Sequence, residues 1–173
     1  MRSATFWRTI TVDESGFLER LLAKLERSGA PYCVIGGQAV NAYVEPLVSL
    51  DLDLAIAAND LERLLPELGY EFDVERFEHS LNVASRDSDL RVQFQLDPRY
   101  AEFVPRREMR TVLGHELPVA RLEDVLAGKV WAASDASRRP SKRQKDLADI
   151  ARILERFPEL AAAVPAGIHA RLV

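Results

Sequence analysis

The stretch from Val34 to Ile56, VIGGQAVNAYVEPLVSLDLDLAI, constrains the fold more than any other part of the chain. It starts inside a short apolar run, YCVI, which reads as a buried strand ending on Gly36-Gly37. The glycine pair lets the backbone turn sharply, and the residues after it, QAVNAY, predict a helix limited by Pro46. Further on, Leu50, Leu52 and Leu54 alternate strictly with Asp51 and Asp53. A period of two predicts a strand with one apolar face, which places both carboxylates on the other.

These two features suit one chemistry. Neighbouring carboxylates repel and raise each other's pKa unless a cation stands between them. Hard oxygen ligands of this kind fit Mg²⁺ (or Mn²⁺), which commonly takes one or two protein carboxylates with phosphate oxygens and water. Glycines between a strand and a helix start let backbone N–H groups approach phosphate, where the helix N-terminus adds a favourable partial charge. One element would hold a polyphosphate and the other the ion that neutralises it.

Around this centre, Phe17, Leu21 and Leu25 form the stripe of an amphipathic helix that ends at Gly29. Asn59 reads as the N-cap of a short helix, DLERLLPELG. Strands are expected from about Glu71 to Val74, Leu81 to Ser85 and Leu90 to Leu96, with a further extended piece in GHELPVA. After Ala120 the pattern becomes helical: RLEDVLAGKVWAAS, a loop DASRRP, then SKRQKDLADIARILERF. The expected organisation is one α/β (α+β) domain over 1–173, with a core of about 12–120 and a helical section of about 121–173.

A net charge of −4 excludes a protein that coats nucleic acid through overall charge. The lone Cys33 forms no internal disulfide and reads as a small buried hydrophobe. The first residues lack the continuous apolar core of a signal peptide, and no run approaches the roughly 20 apolar residues that span a bilayer. A cytoplasmic protein without a membrane partner is expected. The three histidines are scattered, which argues against zinc. Trp131, Tyr100 and Phe103 read as core.

The order strand, Gly-Gly, thirteen residues, Asp-hydrophobic-Asp-hydrophobic resembles the signature of the polymerase-beta-like nucleotidyltransferase superfamily. In detail it is similar to small bacterial members related to the AbiEii toxin family. The tail, LEDVLAGKVWAASDASRRPSKRQKDLADIARIL, resembles their Lys…Lys-Asp-x-x-Asp helical pair, so the likeness covers about residues 30–157. It implies a mixed sheet flanked by helices and an acceptor hydroxyl attacking the α-phosphate of a nucleoside triphosphate. Carried over by residue, Asp51 and Asp53 would ligate Mg²⁺ in catalysis, while Gly36, Gly37, Gln38 and Lys145 would contact phosphate. Asp146 would orient a basic neighbour. Lys129 would aim at phosphate, although a lone base on an apolar helix reads more simply as one that snorkels past the core.

Two departures from the resemblance stand out. Active members carry a third carboxylate on a neighbouring strand; the matching positions in DLRVQFQLDPRY are Gln93 and Gln95, amides that cannot serve as a base. A bend before Pro98 would be needed to bring Asp97 into their place. Gly37 also stands where many members have serine. These departures favour a second reading, a catalytically impaired binding module acting with a protein partner, as one component of a toxin–antitoxin pair. Arg138, Arg139, Lys142 and Arg143 form a basic cluster without an acid. It reads either as a solvated helix start or as a contact for RNA. Asp149, three residues after Asp146, fits a charged outer helix face equally well.

Overall fold

A computed structural model describes residues 16–172. The N-terminal stretch read above for a signal peptide, and the start of the first helical run, lie outside the described residues. Helix α1 (Phe17–Ser28) buries Phe17, Leu18, Leu21 and Leu25, and Gly29 closes it in the left-handed conformation that glycine adopts without strain. Strand β1 (Tyr32–Ile35) leads directly into the short helix α2 (Gly36–Asn41), so the helix begins on the glycines themselves. Strand β2 (Asp51–Ile56) follows, with Leu52, Leu54 and Ile56 buried.

Helix α3 (Ala58–Glu71) is longer than DLERLLPELG suggests and is capped at Ala57, with Asn59 inside its first turn. It runs through Pro66 because Leu61, Leu64 and Leu68 all bury on its inner face. Since the helix takes up Glu71, strand β3 (Asp73–Arg76) starts two residues later than its apolar pattern indicates. Strands β4 (Ser80–Ala84) and β5 (Arg91–Gln95) match their expected places to within a residue. The one-turn helix α4 (Pro98–Ala101) and a 3₁₀ turn (Val104–Arg106) follow.

Strands β6 (Glu108–Val112) and β7 (His115–Val119) form a hairpin of which only the second strand was legible. Leu113 and Gly114 make its tight turn with positive φ. Helices α5 (Leu122–Ser134) and α6 (Pro140–Arg156) pack closely on each other, and a 3₁₀ turn (Pro158–Ala163) and α7 (Ala166–His169) finish the described chain.

The seven strands form one mixed sheet in the order β3-β4-β5-β2-β1-β7-β6. Strands β2 and β5 run parallel in the middle, with Asp51 beside Arg91 and Asp53 beside Gln93. Their apolar faces hold Leu52, Leu54, Val92 and Phe94, all inaccessible to solvent, at the centre of the core. No described helix is long and apolar enough to cross a membrane.

Candidate functional site

Burying the leucines of β2 in the core turns Asp51 and Asp53 to the opposite face, where they line a cavity of about 580 Å³. Gly37, at the start of α2, forms one side of it. Lys129 of α5, Arg138 and Arg139 of the α5–α6 turn, and Lys142, Lys145 and Asp146 of α6 also line it. A smaller cavity of about 80 Å³ adjoins it, with Gly36, Asp53, Gln93, Gln95 and Tyr100 in its lining.

Gly36 is held at φ 67°, and a side chain there has no room. A Cβ on it would overlap Asp53 Oδ2 and stand 3.1 Å from the Cβ and Cγ of the same aspartate. The glycine is therefore the cradle in which the Asp53 carboxylate lies. Gly37 is different: a Cβ there would meet only Asp149 Oδ2, at 4.0 Å.

Desolvation in the cavity wall pushes the Asp53 carboxyl above its ordinary range, and the like charge of Asp51 adds to this against the pull of Lys129. Asp51 is flanked by cations: Arg91 Nη2 lies 3.0 Å from its Oδ1 and Lys142 Nζ 3.8 Å from its Oδ2. Two carboxylates facing one cavity, one of them seated in a glycine cradle, form a donor set that fits a hard divalent cation.

Lys129 and Asp146 of this lining belong to a buried charge network. Lys129 is only 7% exposed, and its Nζ stands 3.1 Å from Asp146 Oδ1 and 2.7 Å from Asp149 Oδ2. Burial works against the charge on Lys129, but Asp149 and Asp146 outweigh it and hold the ammonium above the usual lysine range. Each aspartate has a further cation: Arg138 Nε donates to Asp146 at 2.7 Å, and Arg152 Nη1 to Asp149 at 2.8 Å. Arg152 also donates to Asn41 Oδ1 and to the carbonyl of Glu45, so the network ties α6 to the end of the glycine helix. Lys129 does not snorkel to water, and Asp146 and Asp149 do not belong to a charged outer face. Being three apart on α6, both reach the same buried ammonium.

Other expected residues fall elsewhere. Gln38 is 3% exposed and turned away from the cavity, donating from Nε2 to the carbonyl of Ser49 at 3.0 Å. Its side chain anchors the loop before β2. Gln95 Oε1 accepts from the backbone N–H groups of Leu96 and Asp97. Asp97 caps α4 and pairs with Arg99, so no bend brings it beside Gln93. Arg143 stands apart from the lining of the large cavity. Tyr100, Phe103 and Trp131 pack ring against ring, 5.4–5.5 Å between centroids. Burial pushes the Cys33 thiol up to about 12, in keeping with an inert core residue.

The register also reveals residues that the sequence pattern did not. Asn82 of β4 lies beside Gln93, and Glu75 of β3 beside Asn82. Glu75, Asn82, Gln93 and Asp53 thus form one row across four strands, and all four line the large cavity. Asn82 Oδ1 is buried without a hydrogen-bond partner among the described residues.

Comparison with known proteins follows the same lines. Residues 20–172 match the family described as "Nucleotidyl transferase AbiEii toxin, Type IV TA system". No curated protein matches the chain in sequence. Among solved structures, ANT(2'')-Ia in complex with adenylyl-2''-tobramycin is similar with a TM-score of 0.59 at 15% identity, over 91% of this chain and 97% of that one. The lincomycin-bound lincosamide antibiotic adenylyltransferase LnuA gives 0.53 at 11% identity, over 79% and 95%. An antigenic nucleotidyltransferase-like protein from Paracoccidioides brasiliensis gives 0.53 at 15% identity, over 91% of each chain. At these identities the likeness is one of fold.

Proposed function

The chain belongs to the AbiEii nucleotidyl transferase family, and from that premise we propose that the large cavity binds a nucleoside triphosphate with Mg²⁺ (or Mn²⁺) and transfers its nucleotide to an acceptor hydroxyl. One observation carries this reading: Gly37, Asp51, Asp53 and the cations Lys142 and Lys145 line the same cavity, whose volume suits a ligand of that size. Asp51 and Asp53 would hold the divalent ion, which would supply neutralisation of the triphosphate charge and a template for in-line displacement. Backbone around Gly36 and Gly37 approaches the phosphates, and Lys142, Lys145, Arg138 and Arg139 face them from α6 and the turn before it. Lys129 and Asp146 act behind them, fixing Arg138 and the α5–α6 pair in place.

In the transfer step the acceptor oxygen forms a bond to the α-phosphorus while the bond from that phosphorus to the bridging oxygen breaks. The electron pair leaves with pyrophosphate, and the hydroxyl proton passes to water. The acceptor is an RNA, a protein or a small molecule; an RNA acceptor would meet Arg138, Arg139, Lys142 and Arg143. Replacing Asp51 and Asp53 together by asparagine should abolish metal-dependent triphosphate binding in a folded protein. Unchanged binding in that double variant would remove the assignment.

A second reading rests on Gln93, which β5 sets beside Asp53 where a third acid would serve catalysis. On this reading the protein binds nucleotide without transferring it and acts on a protein partner. Pyrophosphate release in an acceptor screen separates the two.

A further inference from the structure

Two divalent ions can clamp an in-line displacement when they sit about 3.5–4 Å apart. Ions so close repel strongly and require several anionic ligands around and between them. The cavity wall offers Asp51 and Asp53. The position beside Asp53 on β5 is Gln93, whose amide brings an oxygen but no charge.

The other acids near the cavity are out of reach or committed, Asp124 of the smaller cavity to Arg106. Asp97 caps α4 and pairs with Arg99. Asp146 and Asp149 share Lys129 and hold Arg138 and Arg152. Glu75 lies three strand spacings from Asp53, about 14 Å across the sheet. Among the described residues no group of three His, Cys, Asp or Glu side chains is placed to hold a metal.

What stands beside Asp51 is positive charge that the chain itself carries. Arg91 is its register partner on β5, 3.0 Å away, and lines the cavity with its side chain 68% exposed. A guanidinium has five N–H donors, so Arg91 can keep Asp51 and still donate to a phosphate oxygen.

Resting on the nucleotide-site reading above, we propose that Asp51 and Asp53 hold a single divalent ion and that Arg91 supplies the positive charge a second ion would bring. As the acceptor oxygen bonds to the α-phosphorus and the pyrophosphate leaves, Arg91 stabilises the charge on the α-phosphate oxygens. Arg91 is fixed to the strand and needs no third carboxylate.

The test counts ions rather than turnover. Mn²⁺ is titrated by electron paramagnetic resonance into protein held in excess over each α,β-methylene nucleoside triphosphate, which cannot be cleaved at the α-phosphate. The expected result is one protein-bound Mn²⁺ per analogue with no spin-coupled signal. Gln93→Asp should raise the count to two, with coupling. Arg91→Gln should keep one ion and weaken analogue binding about tenfold or more, with Arg91→Lys recovering part of it. Circular dichroism of each variant confirms that it is folded. Two coupled ions in the unaltered protein would overturn the proposal, as would Arg91→Gln with undiminished affinity or Gln93→Asp with a count of one. No analogue binding at all would instead overturn the nucleotide-site reading on which it rests.

Discussion

Gly36 and Gly37 are adjacent and chemically identical, yet their replacement by alanine should have opposite effects. Gly36 has φ 67°, and the left-handed region costs a residue with a Cβ about 1–2 kcal/mol. At about 2–4 °C per kcal/mol for a chain of this size, Gly36→Ala should lower Tm by roughly 2–8 °C. The new methyl would also occupy the place of Asp53 Oδ2 and crowd the rest of that side chain, displacing the carboxylate. Mg²⁺-triphosphate binding should then fall about tenfold or more, the worth of one charge-assisted interaction. At Gly37 φ is not positive, the nearest atom to an added Cβ is 4.0 Å away, and the residue is helical. Alanine is the better helix former by up to about 1 kcal/mol, so Gly37→Ala should leave Tm unchanged or raise it by up to roughly 4 °C. Scanning calorimetry without ligand reads the first effect and titration calorimetry with nucleotide the second. The cradle argument is refuted if Gly36→Ala melts with or above the parent and binds as well.

Lys129→Met should cost about 3 kcal/mol, at the low end for a broken buried pair because Asp146 keeps Arg138 and Asp149 keeps Arg152. Tm should drop by roughly 6–12 °C at neutral pH, and a drop under about 2 °C would mean the network contributes little. Since folding raises the pKa of Lys129, its contribution is complete below about 10.4 and fades as pH climbs through the higher folded value. Variant and parent should therefore converge in urea stability only in strong alkali, and convergence near neutrality would contradict the assignment. Gln93→Asp should increase pyrophosphate release with any acceptor that supports transfer, and Gln95→Asp should not, because Gln95 is occupied with the backbone at Leu96 and Asp97. If RNA binds at the α5–α6 turn, replacing Arg138, Arg139 and Lys142 by alanine should flatten the salt dependence of binding by nearly one logarithmic slope unit per lost phosphate contact. An unchanged slope would place RNA elsewhere.

What was legible in the sequence was local. The glycine turn, the strict alternation around Asp51 and Asp53, and the apolar stripe of α1 are set by periods of a few residues, while the mixed sheet flanked by helices comes from the family resemblance that these motifs carry. The first strand of the β6–β7 hairpin carries no strand signal in the sequence because its residues are mostly polar and its side chains mostly face water. Lys129 reads from the sequence as a snorkelling base because the aspartates that hold it lie 17 and 20 positions later, on another helix. The row from Glu75 to Asp53 exists only through strand register, and no spacing along the chain records that Asn82 meets Gln93 or that Arg91 meets Asp51. Gln38 fitted a phosphate-loop pattern, whereas its buried amide serves the loop before β2.

The most direct test of the central claim is calorimetric titration of each nucleoside triphosphate into the intact protein, first with Mg²⁺ and then with EDTA. Saturable binding of at least one triphosphate, present with Mg²⁺, abolished by EDTA and absent from the Asp51→Asn/Asp53→Asn variant, is the expected result. No binding of any of the four, or binding indifferent to both EDTA and the two aspartates, would contradict it.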